Sequence, residues 1–184
     1  MERTELQIRA RARRVYELGR LRSAMKVLLY VVPIVVLASY SSATSVSGDI
    51  VLGLALGALT VGLLWRGEAY GRAVGTGLLA GAVPLLLPLA MQTTGHCCMA
   101  GACSTWCLPM CIGAGFAAGI MVGVRASSEA RAPGRFALSA MGVAALTGAL
   151  GCAGMGLGAV AGMIAALTVV SAPLAVVGMR LRRR

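Results

Sequence analysis

Apolar residues in this chain gather into six long runs, and all of its charge lies outside them, at the two ends of the chain and in the gaps between runs. The runs cover 27–45, 50–65, 73–91, 107–124, 136–155 and 157–179. A helix that crosses a bilayer needs about 20 mainly apolar residues, with roughly 17–25 tolerated. Only the second run is short, and it reaches spanning length if it begins near Val46. In lipid every backbone N–H and C=O must be satisfied within the element, so runs of this kind predict helices. The expected fold is all-α: a polytopic transmembrane helical bundle of about six spans, with N- and C-termini cytoplasmic. The spans make up 27–179, between a basic leader at 1–26 and a basic tail at 180–184.

The leader has a different pattern. Ile8, Val15, Leu18, Leu21 and Met25 recur at helical spacing among Arg3, Arg9, Arg11, Arg13, Arg14, Arg20, Arg22 and Lys26. Two readings stand side by side. One is an amphipathic helix on the inner leaflet, held by anionic lipid headgroups. The other is a solvated positive leader that only sets orientation. A basic stretch followed by the apolar run 27–38 and small residues from Ser41 to Ala43 also has the outline of a cleaved signal peptide. The length of the leader and Pro33 within the run weigh against cleavage, and the other five spans keep their orientation either way.

Composition agrees with the pattern. Hydrophobic residues make up 58% and charged residues 12%, against roughly 25% charged in a typical soluble domain. So few charges do not cover a water-soluble globule this apolar, and the lipid bilayer is the expected partner of most of the surface. The net charge of +11 would suggest nucleic acid in a soluble protein. Here each basic cluster abuts an apolar run, which is the pattern of topology signals, and no nucleic-acid partner is expected.

Charge placement predicts the threading. With the N-terminus inside, Arg66 and Arg72 fall in one inside loop and Arg125, Arg131 and Arg135 in another. The tail Arg180, Arg182, Arg183 and Arg184 also ends inside, so all 17 basic residues share one side. The outside loops carry a single charge, Asp49. An odd number of spans would split these clusters, so the pattern also favours an even count. Lys26 is the only lysine among the basic residues, and Ala and Gly are abundant. That composition suggests a GC-rich bacterial source and the cytoplasmic (inner) membrane.

Lipid offers no hydrophobic reason for helices to associate, so close packing must supply it. Gly recurs every fourth residue at Gly53 and Gly57, at Gly77 and Gly81, at Gly115, Gly119 and Gly123, and at Gly154, Gly158 and Gly162. Each set places small residues on one helix face and predicts a close crossing, above all the last two. Pro33, Pro84, Pro88 and Pro173 lie within spans and are expected to bend them. The connections 66–72 and 125–135 look alike, so a duplicated two-helix unit is also considered.

The most specific chemistry lies in the outer loop 92–111. It holds His96, Cys97, Cys98, Cys103, Cys107 and Cys111, and Cys152 is expected at the same level of the membrane. All six cysteines are therefore disulfide candidates, and the same six with His96 are candidate metal ligands. The leading expectation is a disulfide framework, since an outward loop is oxidising and six is an even number. The second is a site for a soft metal ion, because thiolates and thioethers favour Cu(I), zinc and similar ions, and Met91, Met99, Met110 and Met155 lie near that level. No pair of CxxC units marks a zinc site. The third is thiol–disulfide exchange. Pro109 fits best in the first turn of a helix, so the fourth span is expected to start close to it.

No Asp, Glu, Lys or Arg falls in the middle of a span. Ion-coupled carriers usually place such groups there. No phosphate loop, Ser/His/Asp set or HExxH motif occurs, and no catalytic or cofactor-binding residues are assigned. The function expected from sequence is a small membrane scaffold or subunit with a disulfide-stabilised outer loop, working through other membrane proteins. The alternative is a soft-metal-ion carrier or sensor using the Cys/His/Met cluster. An enzyme is the least expected class.

Overall fold

The computed structural model describes residues 31–39, 46–93, 107–129 and 132–182, with scattered positions between 11 and 29. Five helices dominate: α1 (Val46–Arg66), α2 (Glu68–Thr93), α3 (Cys107–Ser128), α4 (Pro133–Cys152) and α5 (Leu157–Arg182). A single 3-10 turn, Ala153–Met155, joins α4 to α5. All five helices are long and apolar enough to cross a membrane. The first expected span is described over 31–39, where it is helical and buries Val31 and Ala38. The described positions between 11 and 29 are also helical, with Val15, Leu18 and Met25 of the apolar stripe exposed.

Helix ends follow local chemistry. α1 begins at Val46, the earlier of the two sequence-based starts, with Asp49 buried in its first turn, where the helix dipole favours a carboxylate. It ends at Gly67, whose φ of 80° lets its N–H turn back to the carbonyls of Leu63 and Leu64. α3 begins at Cys107, which puts Pro109 in the first turn as expected. Ala132 precedes Pro133 and adopts a left-handed φ of 55°. A Cβ is disfavoured in that conformation, so Ala132→Gly is expected to stabilise the protein by about 1 kcal/mol. Thermal unfolding in detergent would show a raised midpoint; a lowered one would contradict this account.

The helices associate as two parallel pairs, each made of helices that are not consecutive in the chain. In the first, α2 lies along α4. A Cβ built on Gly77 would sit 2.7 Å from the Ala140 carbonyl oxygen, and one on Gly81 would sit 2.9 Å from that of Ala144. Further along, Gly151 meets the backbone of Pro84 and Leu85. In the second pair α3 lies along α5. A Cβ on Gly115 would sit 2.5 Å from the Met163 carbonyl oxygen, one on Gly119 2.9 Å from that of Leu167, and one on Gly123 2.7 Å from the Leu174 Cβ. Matched positions rise together along both partners, which makes each pair parallel. Only glycine permits backbones this close.

The first three glycine series therefore sit at helix contacts, the Gly53–Gly57 pair against the side chains of Val35 and Leu28. The series at 154, 158 and 162 does not act as a unit. The chain leaves helical geometry between Ala153 and Gly156, where φ is 100°, so Gly154 and Gly158 do not share a continuous helix. Gly158 meets nothing within 4 Å, while Gly162 lies against the side chains of Ile112 and Leu108.

The interior is apolar. Leu56, Leu63, Val74, Leu85, Val143 and Leu150 pack between α1, α2 and α4, while Ala118, Val122, Ala137, Ala140 and Leu167 fill the space between the two pairs. The hydroxyls of Thr60, Ser139, Thr147 and Thr168 donate to carbonyls of their own helices. Ser171 is different: it reaches across to the Met141 sulfur at 2.7 Å. The outward faces are apolar even at mid-helix, with Leu79 66%, Ile120 51% and Val169 67% exposed. Water would not stabilise such a surface, and lipid does. At one end of the bundle Arg66, Arg72, Arg125 and Arg135 gather around the short connections, and Arg72 pairs with Glu129 at 2.9 Å. The opposite end, where α3 begins and α4 stops, carries Cys107, Cys111 and Cys152.

Candidate functional site

The prolines of α2 shape the cysteine end. A carbonyl in a helix normally accepts from the N–H four residues on. Position 88 is proline, so the carbonyl of Pro84 has no such donor. The facing stretch of α4 is small, with Gly148, Gly151 and Cys152. Gly151 lets the α2 backbone approach, and the Cys152 thiol donates toward the freed Pro84 oxygen at 3.9 Å. Gly148 does a second job. A Cβ there would sit 2.6 Å from the Met163 sulfur, so its absence makes room for that thioether.

These local choices bring sulfur atoms from three helices together. The Sγ atoms of Cys111 in α3 and Cys152 in α4 stand 2.9 Å apart. Cys111 Sγ lies 3.6 Å from the Met155 sulfur, in the 3-10 turn, and Cys152 Sγ lies 3.9 Å from that of Met163 in α5. Cys111, Cys152 and Met163 are almost wholly buried, and Met155 is half-buried. Ala159 and Val160 pack around them. The group joins the two parallel pairs at their cysteine end.

Of the sequence-based candidates, the structure unites Cys111 and Cys152. Both are free thiols, and their separation exceeds the roughly 2.05 Å of a disulfide bond, so the expected bridge is not formed at this pair. Cys107 starts the backbone of α3, while His96, Cys97, Cys98 and Cys103 lie outside the described residues. Among the described residues no three of His, Cys, Asp and Glu gather as a metal-ligand group. What draws the four sulfurs together is thioether as well as thiol chemistry. Met155 was expected at this level, but Met163 was not singled out. Its only sequence signal is depth: it stands seven residues into α5 as Cys111 stands five residues into α3.

Comparison with known proteins adds no identity: no family model, curated protein or solved structure matches this chain.

Proposed function

We propose that this chain is a small multi-pass scaffold or subunit of a bacterial cytoplasmic membrane, acting through other membrane proteins, with both ends in the cytosol. The observation that carries this reading is the backbone-level seating of α2 on α4 and α3 on α5. Glycines at 77, 81, 115 and 119 leave no side chain between the paired backbones, so relative sliding of the pairs would drive Cβ atoms and carbonyls together. A rigid core of this kind suits a fixed platform. The arginine-rich end supports the threading, because short loops rich in basic residues stay cytosolic.

Two measurements test this reading. A reporter fused after Gln92 is expected to be active only outside the cytosol, and one fused after Glu129 only inside; the reverse pattern would overturn the threading. In gently solubilised membranes the 18.7 kDa chain is expected to migrate within a larger assembly on native gels. A chain that migrates alone and drives solute uptake in reconstituted vesicles would replace the scaffold with a carrier. The second reading, a carrier or sensor for a soft metal ion, has one observation in its favour: the buried sulfur group.

A further inference from the structure

We propose that Cys111, Cys152, Met155 and Met163 form a four-sulfur site for one monovalent copper ion, which clamps α3, α4 and α5 at the cysteine end of the bundle. The inference stands apart from the scaffold reading, since a platform with or without metal remains a platform.

The donor set selects the ion. Thiolate and thioether are soft ligands and favour Cu(I). Zinc sites are built from Cys, His and carboxylate, and a thioether is a weak partner for that ion. In the described surroundings the sulfurs meet Ala159, Val160 and the Pro84 carbonyl oxygen.

The four sulfurs are linked by successive near contacts. Four sulfurs placed tetrahedrally about 2.3 Å from one ion lie about 3.8 Å from one another. Three of the six sulfur–sulfur gaps are 2.9, 3.6 and 3.9 Å, in a chain from Met155 through Cys111 and Cys152 to Met163, so a bound ion gathers the two thioethers around the thiol pair. Rotation of the Cys111 and Cys152 side chains to widen their 2.9 Å gap is the rearrangement that binding requires. Two features of the fold make the room: Gly148 leaves space for the Met163 sulfur, and the 3-10 turn brings Met155 over the group.

Binding removes one proton from each thiol to water and leaves two thiolates, two neutral thioethers and Cu(I). The loaded centre carries one net negative charge. α3 and α5 both begin at this level, and helix N-termini favour negative charge, which suits an anionic centre. Met155 is the least buried of the four sulfurs, so it is the first that an ion arriving from the cysteine end meets.

The test uses the full-length chain, purified in detergent, reduced and kept free of oxygen. Cu(I) is supplied in competition with a chromogenic chelator of known affinity. Because the loop cysteines and His96 also hold soft ligands, the decisive protein is one with Cys97, Cys98, Cys103 and Cys107 changed to Ser and His96 to Ala. That protein is expected to retain one tightly bound Cu(I), with X-ray absorption showing sulfur neighbours alone at about 2.3 Å. In that background Cys152→Ala is expected to weaken binding at least a hundredfold, and Met163→Leu about tenfold. Met163→Leu also guards against misfolding, since its metal-free melting temperature is expected to stay close to the parent's. Cd(II) and Zn(II) are titrated in parallel, and copper is expected to displace both. Failure of the five-substitution protein to bind Cu(I), nitrogen or oxygen neighbours in the spectrum, preference for Zn(II), or binding indifferent to Cys152→Ala would each overturn the site. So would a Cys111–Cys152 disulfide whose reduction yields no copper binding.

Discussion

Replacing Gly115 with alanine is expected to cost about 3 kcal/mol of stability, and replacing it with isoleucine to prevent assembly of the α3–α5 pair. A single methyl at this position would sit 2.5 Å from the Met163 carbonyl oxygen, with the Met163 Cα and carbonyl carbon each at 3.1 Å. Backbone cannot rotate away as a flexible side chain does, so the helices must part along their length. Overpacking of a tight core typically costs 1–3 kcal/mol, and the upper end applies where the obstacle is main chain. Parting them also withdraws Met163 from Cys152, so the effect reaches the sulfur group. Gly113→Ala and Gly158→Ala are the controls. Neither added Cβ meets anything within 4 Å, and a helical alanine is favoured over glycine by up to about 1 kcal/mol. Thermal unfolding of the three variants in one detergent checks the contrast. Equal melting temperatures for Gly115→Ala and Gly113→Ala would refute the close crossing.

Leu79→Arg is the second change with a large expected effect. Leu79 is 66% exposed midway along α2. In a water-soluble protein an exposed leucine accepts arginine within about 0.5 kcal/mol. At the centre of a bilayer the same change costs at least about 2.5–3.5 kcal/mol. The substitution therefore reports the solvent of that surface and leaves the packing untouched. Loss of membrane-integrated protein, measured as the fraction resisting alkaline extraction, is the expected result. Leu138→Arg is the comparison: it is 69% exposed but lies six residues from the start of α4, near the arginine-rich end. An arginine there reaches the interface along its own length, so little loss is expected. Equal tolerance at both positions would mean that water, not lipid, covers α2.

The helices were legible because their cause is local. Long apolar runs between arginine clusters require helices whatever lies beside them, and α1, α3 and α4 fall within a few residues of the runs that predicted them. α5 also starts where its run does, while α2 begins five residues before the run that predicted it. Glu68 and Arg72 lie in the first turns of α2, since a helix does not stop where the polar interface begins. Glycine spacing revealed the faces around Gly77 and Gly115 but not their partners: a four-residue repeat marks a groove without saying what fills it. It misled at Gly154 and Gly158, because the break at Gly156 is a backbone event that the repeat does not encode. Of the sulfur group, Cys111 and Cys152 were legible as a shared level in the membrane. Met163 was not, because its place depends on the room left by Gly148 and on the parallel seating of α5 against α3. Both are tertiary facts.

The order of pairing has a consequence for synthesis. Each tight partner arrives late: α2 waits for α4, and α3 waits for α5. At about 5–20 residues per second, the strip of bare main chain at Gly115, Gly119 and Gly123 stays open for a few seconds after α3 leaves the ribosome. Closure of the second pair is thus tied to the emergence of α5. A nascent chain cut short after α4 would carry that open strip into the bilayer, where only lipid tails could line it.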